Sequence, residues 1–213
     1  MTAPRAVSRP VNAIVAVLVS VVVVVLLAIA LPDGASVADR LDPAFRSAVG
    51  DPVALVFDGF NLAGTLPVWV ALVFFLVALA WRNRGLAIEI VTTAVVVEAA
   101  ATIVRVIVDR PRPMPSAATE LLVASGFPSG HVARTVVFMA ALLVAVPWAR
   151  RHRRAWLALG IAAVAIMALS RVAAGAHYAS DTVGGVLLGC AVVAAWAWWR
   201  SGSAELGQEG GAQ

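Results

Sequence analysis

Six runs of apolar residues, at 11–31, 66–81, 86–108, 131–148, 155–173 and 182–199, limit what this chain can fold into. Each is close to the ~20 residues a helix needs to cross the hydrocarbon of a bilayer. A soluble domain of 213 residues, 62% hydrophobic and 13% charged, could not bury that much apolar surface. The expected class is therefore all-α: a polytopic membrane protein, built as a six-helix transmembrane bundle. The run at 11–31 is rich in β-branched valine. In lipid the backbone must satisfy its own hydrogen bonds, so helix prevails over strand there. A cleaved signal peptide is the competing reading of that run. Its length, against about 7–15 residues for a signal core, favours a retained span.

The polar segments between the runs set the expected topology. Arg5, Arg9, Arg82, Arg84, Arg150, Arg151, Arg153, Arg154 and Arg200 fall on one side if the spans alternate. The connection at 32–65, with Asp33, Asp39, Asp42, Asp51 and Asp58, falls on the other. The positive-inside rule then places both termini in the cytoplasm of a multi-pass plasma-membrane protein. Val37, Leu41, Phe45 and Val49 recur at helical spacing, which predicts a short extracytoplasmic helix lying in the interface. Residues 1–200 read as one domain without internal repeats, and 201–213 as a disordered cytoplasmic tail. The net charge of +4 comes with no lysine at all. The arginines cluster beside apolar runs, so they report topology rather than a nucleic-acid partner. The single cysteine, Cys190, excludes a disulfide within the chain.

Three clusters of polar residues interrupt the spans on the extracytoplasmic side. The first is Arg105, Arg110 and Arg112, before Pro113. Arg105 lies inside an apolar run, where an arginine is either functional or snorkels to the interface. Glu98, Thr102 and Arg105 share one helical face, which makes Glu98 a structural partner. The second cluster is Pro128, Ser129, Gly130 and His131. Read plainly, its serine caps the helix that follows. Read functionally, helix-start amides and a hydroxyl form an anion cradle under His131, with Arg134 at its mouth. The third is Ser170, Arg171, His177 and Asp181. His177 and Asp181 are four apart, so a helix puts the carboxylate one turn past the imidazole, where it can accept a ring N–H and leave the other nitrogen as a lone pair. Alone, that pair is equally a satisfied helix-end hydrogen bond. Together, these arginines, the two histidines, the serines and the aspartate on one face point to phosphate. Carboxylates are few and the histidines lie on separate elements, so no metal-ligand set is legible. These residues leave open which histidine attacks.

The three clusters resemble the motifs of the type 2 phosphatidic acid phosphatase superfamily: Lys-x6-Arg-Pro, then Pro-Ser-Gly-His, then Ser-Arg-x5-His-x3-Asp. Residues 128–131 match the second and 170–181 the third, while the first reads Arg105-x6-Arg112-Pro113 with arginine in the lysine position. The resemblance spans 105–181. It implies that His177 attacks phosphorus to form a phosphohistidine, oriented by Asp181, and that His131 protonates the leaving oxygen and then activates water. It implies that Arg105, Arg112, Arg171, Ser129 and the Gly130 amide hold the phosphoryl oxygens, with Ser170, Pro128 and Glu98 in support, and that neither metal nor cofactor is needed.

The expected function is a metal-independent phosphatase acting on a membrane lipid phosphate or diphosphate at the outer face. Polyprenyl diphosphate, phosphatidic acid and phosphatidylglycerol phosphate are equally compatible with the motifs. A phosphotransferase passing the phosphoryl group to an acceptor other than water would carry the same residues. A vanadate-dependent haloperoxidase shares the motifs, but that branch is soluble. A lipid-binding or transport protein with a retained anion pocket would have no use for intact His131, His177 and Asp181. The partners expected are lipid substrate and membrane lipids, with homo-oligomerisation left open.

Overall fold

A computed structural model describes residues 44, 45, 47–49, 51–114 and 125–209. The run at 11–31, most of the Val37–Val49 pattern and the loop at 115–124 lie outside the described residues. The elements described are α1 (Asp51–Ala63), α2 (Leu66–Ala80), α3 (Arg84–Val108), α4 (Gly130–Ala145), α5 (Pro147–Arg151), α6 (Arg153–Ala173) and α7 (Ala179–Glu209). No strand occurs among the described residues. Phe74 and Ile161 remain 70% and 71% exposed, and Val95, Ile103 and Ile107 are exposed too, as expected of surfaces turned to lipid.

Local chemistry sets the boundaries. Asn83 caps α3 by accepting from the Leu86 amide at 3.1 Å. The helix ends at Asp109, in the left-handed region at φ 43°, ahead of Pro111 and Pro113. A proline also opens α2, and at Gly64–Thr65 the chain turns by 65° between α1 and α2. The core is a seam of small and branched residues, with Trp69, Val97, Ala101, Ala133, Val137, Leu188 and Val192 in one cluster. The closest helix pair is α4 with α7. A side chain at Gly185 would come within 2.5 Å of the Ser129 carbonyl, and one at Gly189 within 2.7 Å of Val136. The spacing of four residues lines both glycines on one face, as membrane helices require for close approach.

Three helices, α3, α6 and the 179–201 part of α7, are long and apolar enough to cross a bilayer, and the bent α1–α2 pair makes a fourth. The described residues thus hold three or four candidate spans, and the expected first run at 11–31 lies outside them. The run at 66–81 forms a helix of 15 residues, joined to α1 across the bend. The run at 131–148 forms only the 16-residue α4, because Pro147 interrupts it and starts the short α5. The connection at 32–65 is more than a polar linker, since its second half is α1, packed against α6. Helix α7 continues to Glu209, through residues expected to be disordered from 201 on.

The helices alternate in direction, so the bundle has two distinct ends. One gathers the end of α2, the start of α3, α5, the start of α6 and Arg200 of α7. The other gathers the end of α3, the start of α4, the end of α6 and the start of α7. All three sequence clusters lie at this second end.

Candidate active site

Backbone hydrogen bonds sew the motif end together. The Gly126 amide donates to the Arg110 carbonyl at 2.7 Å, the Ser129 amide to the Asp181 carbonyl at 2.9 Å, and the Met114 amide to the Gly175 carbonyl at 2.9 Å. The loop after α3, the loop before α4 and the turn before α7 therefore form one unit. Their chemistry-bearing residues were placed apart in sequence and are brought together here.

His177 stands at its centre, 2% exposed. Its Nδ1 lies 2.7 Å from the Gly126 carbonyl oxygen, which can only accept, so Nδ1 carries the proton. Nε2 is then a lone pair, 3.4 Å from Nη1 of Arg112. Burial, followed by the charges of Arg171, Arg112 and Arg105, pushes the imidazole well below its usual range and keeps it neutral. The carboxylate expected to accept the ring N–H does not. Asp181 Oδ2 is 3.7 Å from Nδ1, beyond hydrogen-bonding distance. Asp181 is engaged elsewhere: Oδ1 accepts from Arg110 Nη1 at 2.7 Å and Oδ2 from the Tyr178 amide at 2.8 Å. It braces the turn that carries His177, while the Gly126 carbonyl fixes the tautomer.

Five arginines surround this centre, and they divide by partner. Arg110 is paired with Asp181, and also donates to Ser180 Oγ at 2.7 Å and stacks over Tyr178. Arg134 is paired with Glu98 and donates to the Gly64 carbonyl at 2.7 Å, so the direct ion pair of Glu98 is with Arg134. Among the described residues, Arg105, Arg112 and Arg171 have no carboxylate partner. Arg105 Nε donates to the Pro128 carbonyl at 3.3 Å, and its guanidinium lies where a side chain at residue 130 would be, which only glycine permits. Arg112 donates to the carbonyls of Ala176 at 3.0 Å and Ser125 at 3.2 Å, and burial holds its pKa below the usual arginine range. Arg171 Nη1 donates to Asn61 Oδ1 at 2.8 Å.

Ser129 occupies the cap position of α4, yet its side chain makes no capping bond. Its hydroxyl is buried without a partner among the described residues, as are Nε of Arg112 and Nε of Arg171. Orphaned buried donors beside three positive charges fit an oxyanion, which would accept from all of them. The first-turn amides of α4 have no intrahelical partner and add to that field. His131 packs its ring against Gly64, close enough to Arg171, Arg134 and Arg105 to feel their charges. Among the described residues, no group of three His, Cys, Asp or Glu side chains is placed to hold a metal ion.

Sequence reasoning missed two participants. Asn61 lies in the polar connection at 32–65, where no local signal marks it. The Gly126 carbonyl is a backbone group, invisible to any reading of residue types. Ser170, expected in support, donates to the Met167 carbonyl at 2.7 Å and lies 3.1 Å from Asn61 Oδ1.

The family model described as PAP2 superfamily matches residues 85–204. Among solved structures, the chain is similar to the crystal structure of the first transmembrane PAP2 type phosphatidylglycerolphosphate phosphatase from Bacillus subtilis. The TM-score is 0.70 at 18% identity, covering 91% of this chain and 96% of that one. No curated protein matches the sequence.

Proposed function

The chain is a membrane phosphatase of the PAP2 superfamily, and from that premise we propose that it removes the terminal phosphate of a membrane lipid phosphate or diphosphate through a phosphohistidine at His177. The observation that carries this reading is the neutral His177, its Nε2 lone pair beside Arg112 and the ring within reach of the charges of Arg171 and Arg105, three arginines that lack carboxylate partners among the described residues. Buried charge without a counter-charge is costly, and a phosphate dianion would supply one.

The chemistry runs as a double displacement. The phosphoryl group binds among Arg105, Arg112, Arg171, Ser129 and the Gly130 amide, and Arg112 Nη1 shifts its hydrogen bond from Nε2 to a phosphoryl oxygen. Nε2 attacks phosphorus as the bond to the leaving oxygen breaks. That oxygen takes its electron pair and a proton from His131. The Gly126 carbonyl stabilises the resulting cationic ring through Nδ1–H. Water then attacks the phosphohistidine, His131 takes its proton, and phosphate and neutral His177 are restored. The site opens on the extracytoplasmic face, with both termini cytoplasmic.

Phosphatidic acid, phosphatidylglycerol phosphate and a polyprenyl diphosphate are the substrates to compare, by phosphate release from the purified protein in detergent. Quenching in alkaline detergent during turnover of a labelled substrate should trap a base-stable phosphoprotein that loses its label when acidified. Turnover of all three without phosphoprotein, even in rapid-quench samples, would sink the covalent mechanism.

A further inference from the structure

Helix α1 lies outside the family-matched region, yet it reaches the site. Asn61 projects from its last turn, and Phe57, one turn earlier, is buried. Asn61 Oδ1 is 2.8 Å from Arg171 Nη1 and 3.1 Å from Ser170 Oγ. A guanidinium only donates, so the amide presents its oxygen there and not its nitrogen.

We propose that Asn61 is a positioning residue for phosphate binding, which holds the Nη1 corner of Arg171 so that the Nε edge of the guanidinium faces the substrate phosphoryl group. The proposal rests on the reading of Arg171 as a phosphate ligand. An arginine grips two oxygens through one of its flat edges. With Nη1 engaged by Asn61, the edge that remains runs through Nε, and Nε of Arg171 is buried without a partner among the described residues. The residue type matters as much as the contact. Arg110 and Arg134 are fixed by carboxylates, which cancel their charge. A neutral amide fixes Arg171 equally well in space and leaves its positive charge for the substrate. Asn61 thus supplies direction without neutralisation, from a helix that the catalytic motifs do not include.

The test uses the full chain in detergent, with Asn61→Ala, Asn61→Asp, Arg171→Ala and the double variant Asn61→Ala/Arg171→Ala. The readouts are kcat and KM on phosphatidic acid and competitive inhibition by inorganic phosphate. Asn61→Ala should raise KM and the inhibition constant about 10-fold and change kcat less than about 3-fold. Asn61→Asp keeps the contact and the shape, but should weaken phosphate binding at least as much because it neutralises Arg171. In the Arg171→Ala background, Asn61→Ala should change kcat/KM less than about 2-fold, since its effect passes through the missing guanidinium. An equal effect of Asn61→Ala in both backgrounds, or wild-type phosphate inhibition in Asn61→Asp, overturns the proposal. If Arg171→Ala itself leaves phosphate inhibition unchanged, the reading of Arg171 falls first and Asn61 with it.

Discussion

Arginine is the only strong base in this chain, and it does opposite work at the two ends of the bundle. At one end Arg82, Arg84, Arg150, Arg151, Arg153 and Arg154 are all exposed, beside Trp81 and Trp148. Water solvates them, and their information is topological. At the other end Arg110 and Arg171 are buried, and Arg105, Arg112 and Arg134 half-buried. There each charge needs a partner. Two have carboxylates, and three have only neutral oxygens among the described residues. Composition cannot separate these roles; burial and partner can. The lesson is that an arginine signals a ligand when it is both shielded from water and missing its counter-charge.

The strongest way to break this comparison is to keep the arginines and remove the proposed nucleophile. His177→Ala should lose turnover entirely and form no phosphoprotein, while still binding inorganic phosphate, measured by calorimetry in detergent. Residual turnover above about one part in 10⁴ of wild type would show that another group attacks.

Next in size is the contrast inside the motif end. Arg112→Ala should cut kcat/KM about 100-fold and cost less than about 2 kcal/mol of stability, because the hydrogen bonds it removes end on the Ala176 and Ser125 carbonyls and no ion pair is broken. Arg110→Ala strips a buried carboxylate of its partner, and should destabilise the fold by about 3–5 kcal/mol. Thermal unfolding and kinetics on both variants check this. Equal melting temperatures for the two would erase the distinction between paired and unpaired arginines.

A smaller effect concerns pH. His177 is held below the usual histidine range, so it stays neutral until the pH falls through that lowered value. Attack needs the unprotonated Nε2. The acid limb of kcat/KM, corrected for ionisation of the substrate, should therefore lie below about pH 6.5. The same sign applies to stability: below about 6.5 the unfolded chain takes up a proton that folded His177 refuses, so acid favours unfolding. An acid limb above 6.5 would mean that the arginines and burial do not act on the nucleophile as described.

The smallest expected effect is at the solvated end. Arg151→Ala should leave kcat/KM within about 2-fold and stability within about 0.5 kcal/mol. A large kinetic loss there would make that end part of the substrate path.

The candidate site was legible as a set of residues because the chemistry proposed for it depends on side-chain type and spacing. His131, His177, Asp181, Arg112 and Arg171 could be picked out by residue alone, and folding does bring their backbones together. What was not legible depends on the crossing of distant segments. The Gly126 carbonyl meets His177 across 51 positions, and Asn61 meets Arg171 across 110. Asp181 at helical spacing from His177 invited a direct pairing, but spacing alone could not reveal that Arg110 competes for the carboxylate. The fold was legible as membrane-spanning helices. The break within the run at 131–148 was not, because apolarity continues past 145 while the helix ends ahead of Pro147.

That interruption sets a depth. Helix α4 has 16 residues and rises about 24 Å, against about 30 Å of hydrocarbon. One end of it meets Trp148 and Arg150, residues that settle at a lipid–water boundary. Its Ser129–Gly130 end then stops about one helical turn short of the opposite boundary, unless the bilayer thins around it. The proposed phosphate cradle would then be a recess and not a surface. A lipid phosphate bound there would sink its headgroup below those of its neighbours, exchanging water for guanidinium as it descends.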